Sequence, residues 1–380
     1  MRALVNARIL EAGGFTSGRA VLVDGSRIAA VVAEGDPRVA KAERIDIAGA
    51  RLVPGFVDCQ VNGGGGILFN DDPSVESIRA IGAAHRPFGT TAFLPTLISD
   101  DFSVIARAIR AVRDAIEAGV PGVVGIHIEG PFINEIRKGA HDSTKIRDLD
   151  ARDVALLSSL QAGRTLVTLA PEMTTLATIR HLADEGVVIS AGHTKGTFDQ
   201  VGAALRNGVT GVTHLFNAMS PFGHREPGAA GAALADPDCW CGIIVDGHHV
   251  HPAALRIALA CRGGRRFMLV TDAMPNVGTG MGSFDLQGRT IFVKDGRCVD
   301  EAGVLSGSAL DMAGAVRNAI SMLGVSLEKA VEMASTNPAQ FIGLGAELGR
   351  IDAGLKASFV VLGESLGVRE TWIDGERRQH

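Results

Sequence analysis

Three ligand-type residues close apolar runs in the middle of this chain. Glu129 ends VVGIHIE, His193 lies in SAGHTKG, and His214 lies in GVTHLFNAM. An ionisable group at the tip of an apolar strand is costly unless something pairs with it. Two imidazoles and a carboxylate, with a fourth position left to water, make an open zinc site suited to catalysis. Taken alone, each residue also reads as a hydrogen-bonded strand-end side chain. Asp272, in FMLVTDAMP, has two readings. It is a turn or helix-cap aspartate, or a carboxylate that takes a proton from metal-activated water and later gives it to a leaving group. His127 precedes Glu129 by two and points the same way along a strand, and it reads as a packed residue and not a ligand. His141 closes the segment after Glu129, in KGAH.

Other chemistries have less support. No Gly-x-Ser-x-Gly elbow marks a serine nucleophile. The run Gly63–Gly66 lacks the lysine of a phosphate-binding loop and reads as a flexible loop. Two stretches suit an anion such as phosphate: Asn217-Ala218 through Arg225, and Asp246-Gly247-His248-His249 on to His251. Solvated surface charge is the competing reading for Arg225, and adventitious metal binding for the histidine cluster.

These residues need elements that bring them together. Apolar strand-like runs are predicted at Phe56–Val61, Ala92–Leu97, Val123–Ile128, Leu166–Ala170, Val187–Ala191, Val209–Leu215, Gly242–Val245 and Phe267–Thr271, with helix-like segments between most of them. Val104–Ala118 is one such helix, with Val104, Ala108, Val112 and Ala115 on one stripe. Eight strands alternating with helices predict a (β/α)8 TIM-like barrel of the α/β class, although a doubly wound sheet uses the same alternation. Gln60, Glu129, His193, His214, Asp246 and Asp272 all fall at strand ends, which in a barrel converge on one face. Both termini are β-rich, with Asp24-Gly25-Ser26 and Asp374-Gly375 as hairpin signals. The expected organisation is a barrel over 53–345 and a small β-sandwich built from 1–52 and 346–380. Further helices are expected at Ala309–Leu323 and Leu327–Ser335, and the glycine-rich loop Met274–Ser283 is a candidate lid.

A hydrophobic content of 46 % over 380 residues is ample for a packed core. Net charge −5 and pI near 6.1, without a basic run, argue against a nucleic-acid partner. No apolar stretch has signal-peptide or membrane-span length, so a cytoplasmic location is expected. The five cysteines fit reduced thiols, with the Cys239/Cys241 pair read as buried small side chains before metal or redox use.

The ordered set PGFVDCQVNGGGG, HIEGPFIN with KGAHD, SAGHTKG, THLFNAMSPFGHREPG, VDGHHVHP, LVTDAMP and LSGSALDM resembles the N-acetylglucosamine-6-phosphate deacetylase family of the amidohydrolase superfamily. The resemblance implies metal-dependent release of acetate from N-acetyl-D-glucosamine 6-phosphate, in amino-sugar catabolism or recycling. It assigns Glu129, His193 and His214 to the metal, Asp272 to proton transfer, and His141 to the substrate near the scissile amide. Ala140, Asn217, Ala218, Arg225, Asp246, Gly247, His248, His249, Leu305, Ser306 and Gly307 match segments lining the sugar-phosphate pocket. It further implies a homodimer whose phosphate site is shared, with Arg225 and His249 serving it. Many amidohydrolases carry His-x-His on the first strand and two metals; here Gln60-x-Asn62 stands instead. Carboxamides are weak ligands, so one divalent ion per subunit is expected, Zn²⁺ with Fe²⁺ as an alternative. Strand alternation would turn Cys59 away from the metal. Alternatives are the same reaction on N-acetylgalactosamine 6-phosphate, another amidohydrolase reaction, or a non-catalytic barrel acting in protein interactions.

Overall fold

The alternation of apolar and amphipathic segments builds a parallel barrel. A computed structural model of residues 1–380 has eight successive strands in one sheet: β1 (Phe56–Val61), β2 (Thr90–Ile98), β3 (Gly125–Glu129), β4 (Arg164–Leu169), β5 (Val188–Ala191), β6 (Val209–Val212), β7 (Trp240–Ile243) and β8 (Phe267–Leu269). Each pairs in parallel with the next. The last strand's continuation closes the ring on the first. Val61 bridges Ala273, and Asp272 N donates to Gln60 O at 3.0 Å. A helix follows every strand, from Val75–His85 after β1 to Met312–Leu323 after β8. This is the (β/α)8 barrel and not a doubly wound sheet. The helix read as Val104–Ala118 spans Phe102–Glu117 and buries Ile105, Ala108, Ile109, Val112 and Ala115. Each large aliphatic side chain so buried contributes about 1.5–3 kcal/mol.

The two ends of the chain share sheets, as their composition suggests. Phe359–Leu362 runs antiparallel to Arg51–Pro54, which lies parallel to Arg8–Glu11 in a six-stranded sheet. A four-stranded sheet from the first 46 residues lies with it over a core that includes Leu4, Ile9, Val23, Leu52, Phe359 and Trp372. Asp374-Gly375 forms the two-residue turn read from the sequence, with φ of 47° and 84°.

Three local expectations change. Gly63–Gly66 is no flexible loop: Gly63–Gly64 pairs with Ile67–Leu68, and a Cβ on Gly63 would lie 2.3 Å from the Ile67 carbonyl oxygen. Cys59 stays out of the metal cavity, as expected, but does not lie on the face opposite Gln60. Phe93 pairs with Asp58 but Pro95 with Val61, so β1 carries an extra residue that breaks alternation. Cys59 therefore lines the same small void as Gln60 and His127. Finally, a four-stranded antiparallel sheet, unanticipated from sequence, lies between β8 and its helix. Its strands are β9 (Ser283–Leu286), β10 (Arg289–Lys294), β11 (Arg297–Val299) and β12 (Leu305–Ser308). Of the candidate lid before it, Met274–Val277 is buried and holds the glycine hairpin through its carbonyls, leaving Gly278–Ser283 largely exposed.

Asp58 fastens the seam between β1 and β8. Its carboxylate accepts bonds from the Thr271 hydroxyl and from the backbone N–H groups of Thr271 and Gln60. Full burial nevertheless pushes its acid up to about 7. A carboxyl raised on folding binds its proton more tightly in the native state, so its contribution to stability is complete below about pH 4 and is lost as pH rises towards 7. Asp58→Asn should therefore flatten that part of the curve of denaturant midpoint against pH. Parallel curves for the two proteins would contradict the assignment.

Candidate active site

The ligand-type residues sit where the strands stop. β3 ends on Glu129; His193 and His214 lie just beyond β5 and β6, and Asp272 beyond β8. His193, His214 and Asp272 all take left-handed backbone angles, with φ of 47°, 34° and 54°. Such angles in non-glycine residues cost roughly 1–3 kcal/mol each and persist only where the surroundings impose them. They end the ladder where the side chains of these three residues reach the cavity at the barrel mouth. Extending β6 to Leu215 from apolarity alone overshot for this reason.

Glu129, His193 and His214 form one buried cluster. Glu129 Oε1 lies 3.1 Å from His193 Nε2 and 3.0 Å from His214 Nε2, and the two Nε2 atoms are 3.1 Å apart. His193 Nδ1 donates to the Arg137 carbonyl at 2.9 Å, which leaves its Nε2 lone pair facing the cluster. Burial raises the Glu129 carboxyl, but the two imidazoles against it outweigh burial when they carry protons there and hold it well below the usual carboxylate range; a metal ion would take the place of those protons. Three lone-pair donors within 4.8 Å of one another repel unless positive charge lies between them. The donor set fits a divalent cation.

The first-strand carboxamides face carboxylates. Gln60 Nε2 lies 3.1 Å from both Glu129 Oε2 and Asp272 Oδ1, and Asn62 Nδ2 donates to Asp272 Oδ1 at 2.6 Å. Their N–H groups stand where a second cation would otherwise balance these charges. Burial and the negative charge of Glu129 push Asp272 up to about 6.

His141 lies beside the cluster, its ring centroid 4.4 Å from that of His193. Its Nδ1 faces the Ser99 hydroxyl at 2.7 Å and the Ser99 backbone N–H at 3.2 Å. A backbone N–H can only donate, so Nδ1 carries the lone pair and the neutral ring holds its proton on Nε2. Burial, then the neighbouring His193, keeps the imidazole well below its ordinary pKa and hence neutral. His127 stays apart from the metal cluster, bridging Thr96 and Thr168 hydroxyls as a packed residue.

The cluster, Asp272 and His141 open on one cavity of about 310 Å³, which Asn62, Ala140, Asn217, Ala218, His249, Leu305 and Gly307 also line. Asp246 stands behind His249, its carboxylate 2.6 Å from His249 Nδ1, and so orients it instead of lining the cavity. Gly247 and His248 are exposed, Ser306 is buried off the cavity, and Arg225 points to solvent outside it. Sequence reasoning missed Ser99, Arg137, Gln287 and Arg289. Ser99, which follows β2 as Glu129 ends β3, was open to the strand-end argument. The carbonyl of Arg137 and the inserted sheet carried no such signal.

The Amidohydrolase family model matches residues 51–378. The chain belongs to this family. It is 44 % identical over 326 residues to the N-acetylgalactosamine-6-phosphate deacetylase of Shewanella sp. (strain ANA-3), covering 86 % of this chain and 82 % of that one. It is 32 % identical to the N-acetylglucosamine-6-phosphate deacetylase of Haemophilus influenzae, over 100 % of this chain and 99 % of the relative. The crystal structure of N-acetylglucosamine-6-phosphate deacetylase from Pasteurella multocida superposes with TM-score 0.95 and 34 % identity over the full length of both chains.

The metal-free amidohydrolase chain should take up one Zn²⁺ per subunit. Glu129→Ala should abolish that uptake while Asn62→Ala retains it, read by elemental analysis after gel filtration. Two ions per wild-type chain would overturn the assignment of Gln60 and Asn62 to hydrogen bonding.

Proposed function

We propose that this amidohydrolase hydrolyses N-acetyl-D-glucosamine 6-phosphate to acetate and D-glucosamine 6-phosphate in amino-sugar catabolism or recycling. The reading is carried by one observation. A three-residue metal cradle, a half-buried carboxylate and a neutral imidazole with its donor free all open on one cavity. The relatives named for this reaction support the substrate class. The cavity volume lies at the small end of ligand pockets, about 300–1,000 Å³, as suits a monosaccharide phosphate.

Glu129, His193 and His214 would hold one divalent ion, Zn²⁺ before Fe²⁺. When bound, it supplies a water of lowered pKa and polarises the acetamide carbonyl. Asp272 accepts a proton from the attacking water as the new C–O bond forms. His141 Nε2–H donates to the carbonyl oxygen as negative charge develops there. Asp272 then passes its proton to the amide nitrogen as the C–N bond breaks, and the amine leaves. Gln60 and Asn62 hold the Asp272 carboxylate through their N–H groups. His249, fixed by Asp246, faces the cavity and suits the sugar phosphate. Arg225 is exposed and outside its own cavity, which fits a residue offered to the phosphate site of a second subunit in a homodimer. No helix is long and apolar enough to cross a membrane.

A second reading, the same reaction on N-acetylgalactosamine 6-phosphate, is favoured by the 44 % identical relative named for that substrate. Acetate release from both epimers, compared as kcat/KM, decides between them. Asp272→Asn should keep its metal and lose roughly 10²–10⁴ in kcat, the usual worth of a positioned proton-transfer group. A variant of near wild-type activity would remove Asp272 from the reaction.

A further inference from the structure

The inserted sheet reaches the cavity through one unusual turn. β9 and β10 are joined by Gln287-Gly288, both left-handed, with φ of 51° and 79°. The next hairpin of the same sheet uses Asp295-Gly296 at φ of 51° and 75°, the residue types such turns favour. Glutamine gains nothing from the left-handed region and is strained there. Its side chain accounts for its presence. Gln287 Nε2 donates to Ser99 O at 2.9 Å, and its Oε1 accepts from Asp142 N at 3.1 Å. Arg289, the next residue but one, donates to the Ala140 carbonyl. The turn thus grips the chain on both sides of His141 and also grips Ser99, whose N–H and hydroxyl meet His141 Nδ1. Space there is tight, since a Cβ on Gly130 would lie 2.3 Å from Ser99 Oγ.

We propose that Ser99 and Gln287 are positioning residues of the reaction. Ser99 fixes His141 as the tautomer that donates from Nε2 into the cavity, and Gln287 holds Ser99 and residues 140–142 in the register that keeps this donor aimed. The use of that donor rests on the deacetylase reading; the tautomer and the turn are properties of the chain itself. One carboxamide must both donate and accept across a fixed span, which neither a carboxylate nor a shorter amide can do.

Gln287→Asn separates this role from a merely structural one. Asparagine is the better turn residue but is one methylene too short to bridge Ser99 and Asp142. The thermal midpoint should be unchanged or higher while kcat falls roughly 10–100-fold, with KM within about threefold, as for small misplacements of catalytic groups. Activity equal to wild type would overturn the role of Gln287. Histidine-selective ¹⁵N spectra of the zinc-loaded protein, assigned with His141→Gln, should show a protonated Nε2 and an unprotonated Nδ1 in wild type. Ser99→Ala, which keeps the backbone N–H, should retain that tautomer but lose the shorter hydroxyl contact, so that kcat falls about 10-fold; kcat equal to wild type would overturn the role of the Ser99 hydroxyl. A protonated Nδ1 in wild type overturns the proposal whether or not the enzyme is active. The expected tautomer and midpoints with no acetate from either amino-sugar phosphate would support the positioning and sink the substrate reading.

Discussion

Everything at the barrel mouth follows from burying Glu129 between two imidazoles. A carboxylate in that position loses its hydration, and it stays ionised only because hydrogen-bond donors and positive charge replace the water. The Gln60 amide and the two Nε2 atoms converge on it, and the Arg137 carbonyl fixes His193 so that a lone pair and not a proton faces inward. The resulting cradle is short of positive charge, which a divalent cation would supply. Asp272, brought close by barrel closure, holds its proton more tightly than an ordinary aspartate, first because it loses water there and then because it lies beside the Glu129 charge.

The barrel meets this demand with strain at its rim and hydrogen bonds in its interior. Left-handed residues at three strand ends cost free energy that the surrounding structure offsets, since the carbonyl of each accepts a backbone bond. Asp272 shows this well: its N–H bonds to Gln60, and its carbonyl accepts from Ser308. Below the rim, His127, Thr168, Thr213 and Ser190 form a chain of bonds from 2.6 to 2.8 Å across four strands. Burial keeps His127 neutral, at about 4, so this layer satisfies its own polar groups without adding charge under the metal cradle.

Orientation in this site is delegated outward. Asp246 aims His249, Ser99 aims His141, and the inserted sheet braces Ser99 from above. Several residues matched to the sugar pocket therefore act at one remove from it or, like Arg225, face away from their own cavity. A resemblance carried along the sequence identifies segments; it does not say which member of a segment presents its side chain to the ligand.

The alternation of eight apolar runs with helices, the ligand types at their ends and the turn chemistry of Asp374-Gly375 were all legible in the chain, because periodicity and residue type are local properties. So were His127 as a packed residue and Gln60-x-Asn62 as a departure from His-x-His. Other features arise only between distant segments. The extra residue in β1 depends on pairing with β2, and it put Cys59 on the face that alternation denied it. The glycine run became an ordered hairpin, with Gly63 and Gly64 buried, because the carbonyls of Pro275 and Val277 hold its tip. The tautomer of His141 is set by an N–H 42 positions away, and the clamp on that N–H's residue comes from Gln287, 188 positions away. Sequence by itself determined which groups this protein has to work with. Only the tertiary structure decided which way each proton and lone pair points, because that direction is fixed by partners that folding alone brings within hydrogen-bond reach.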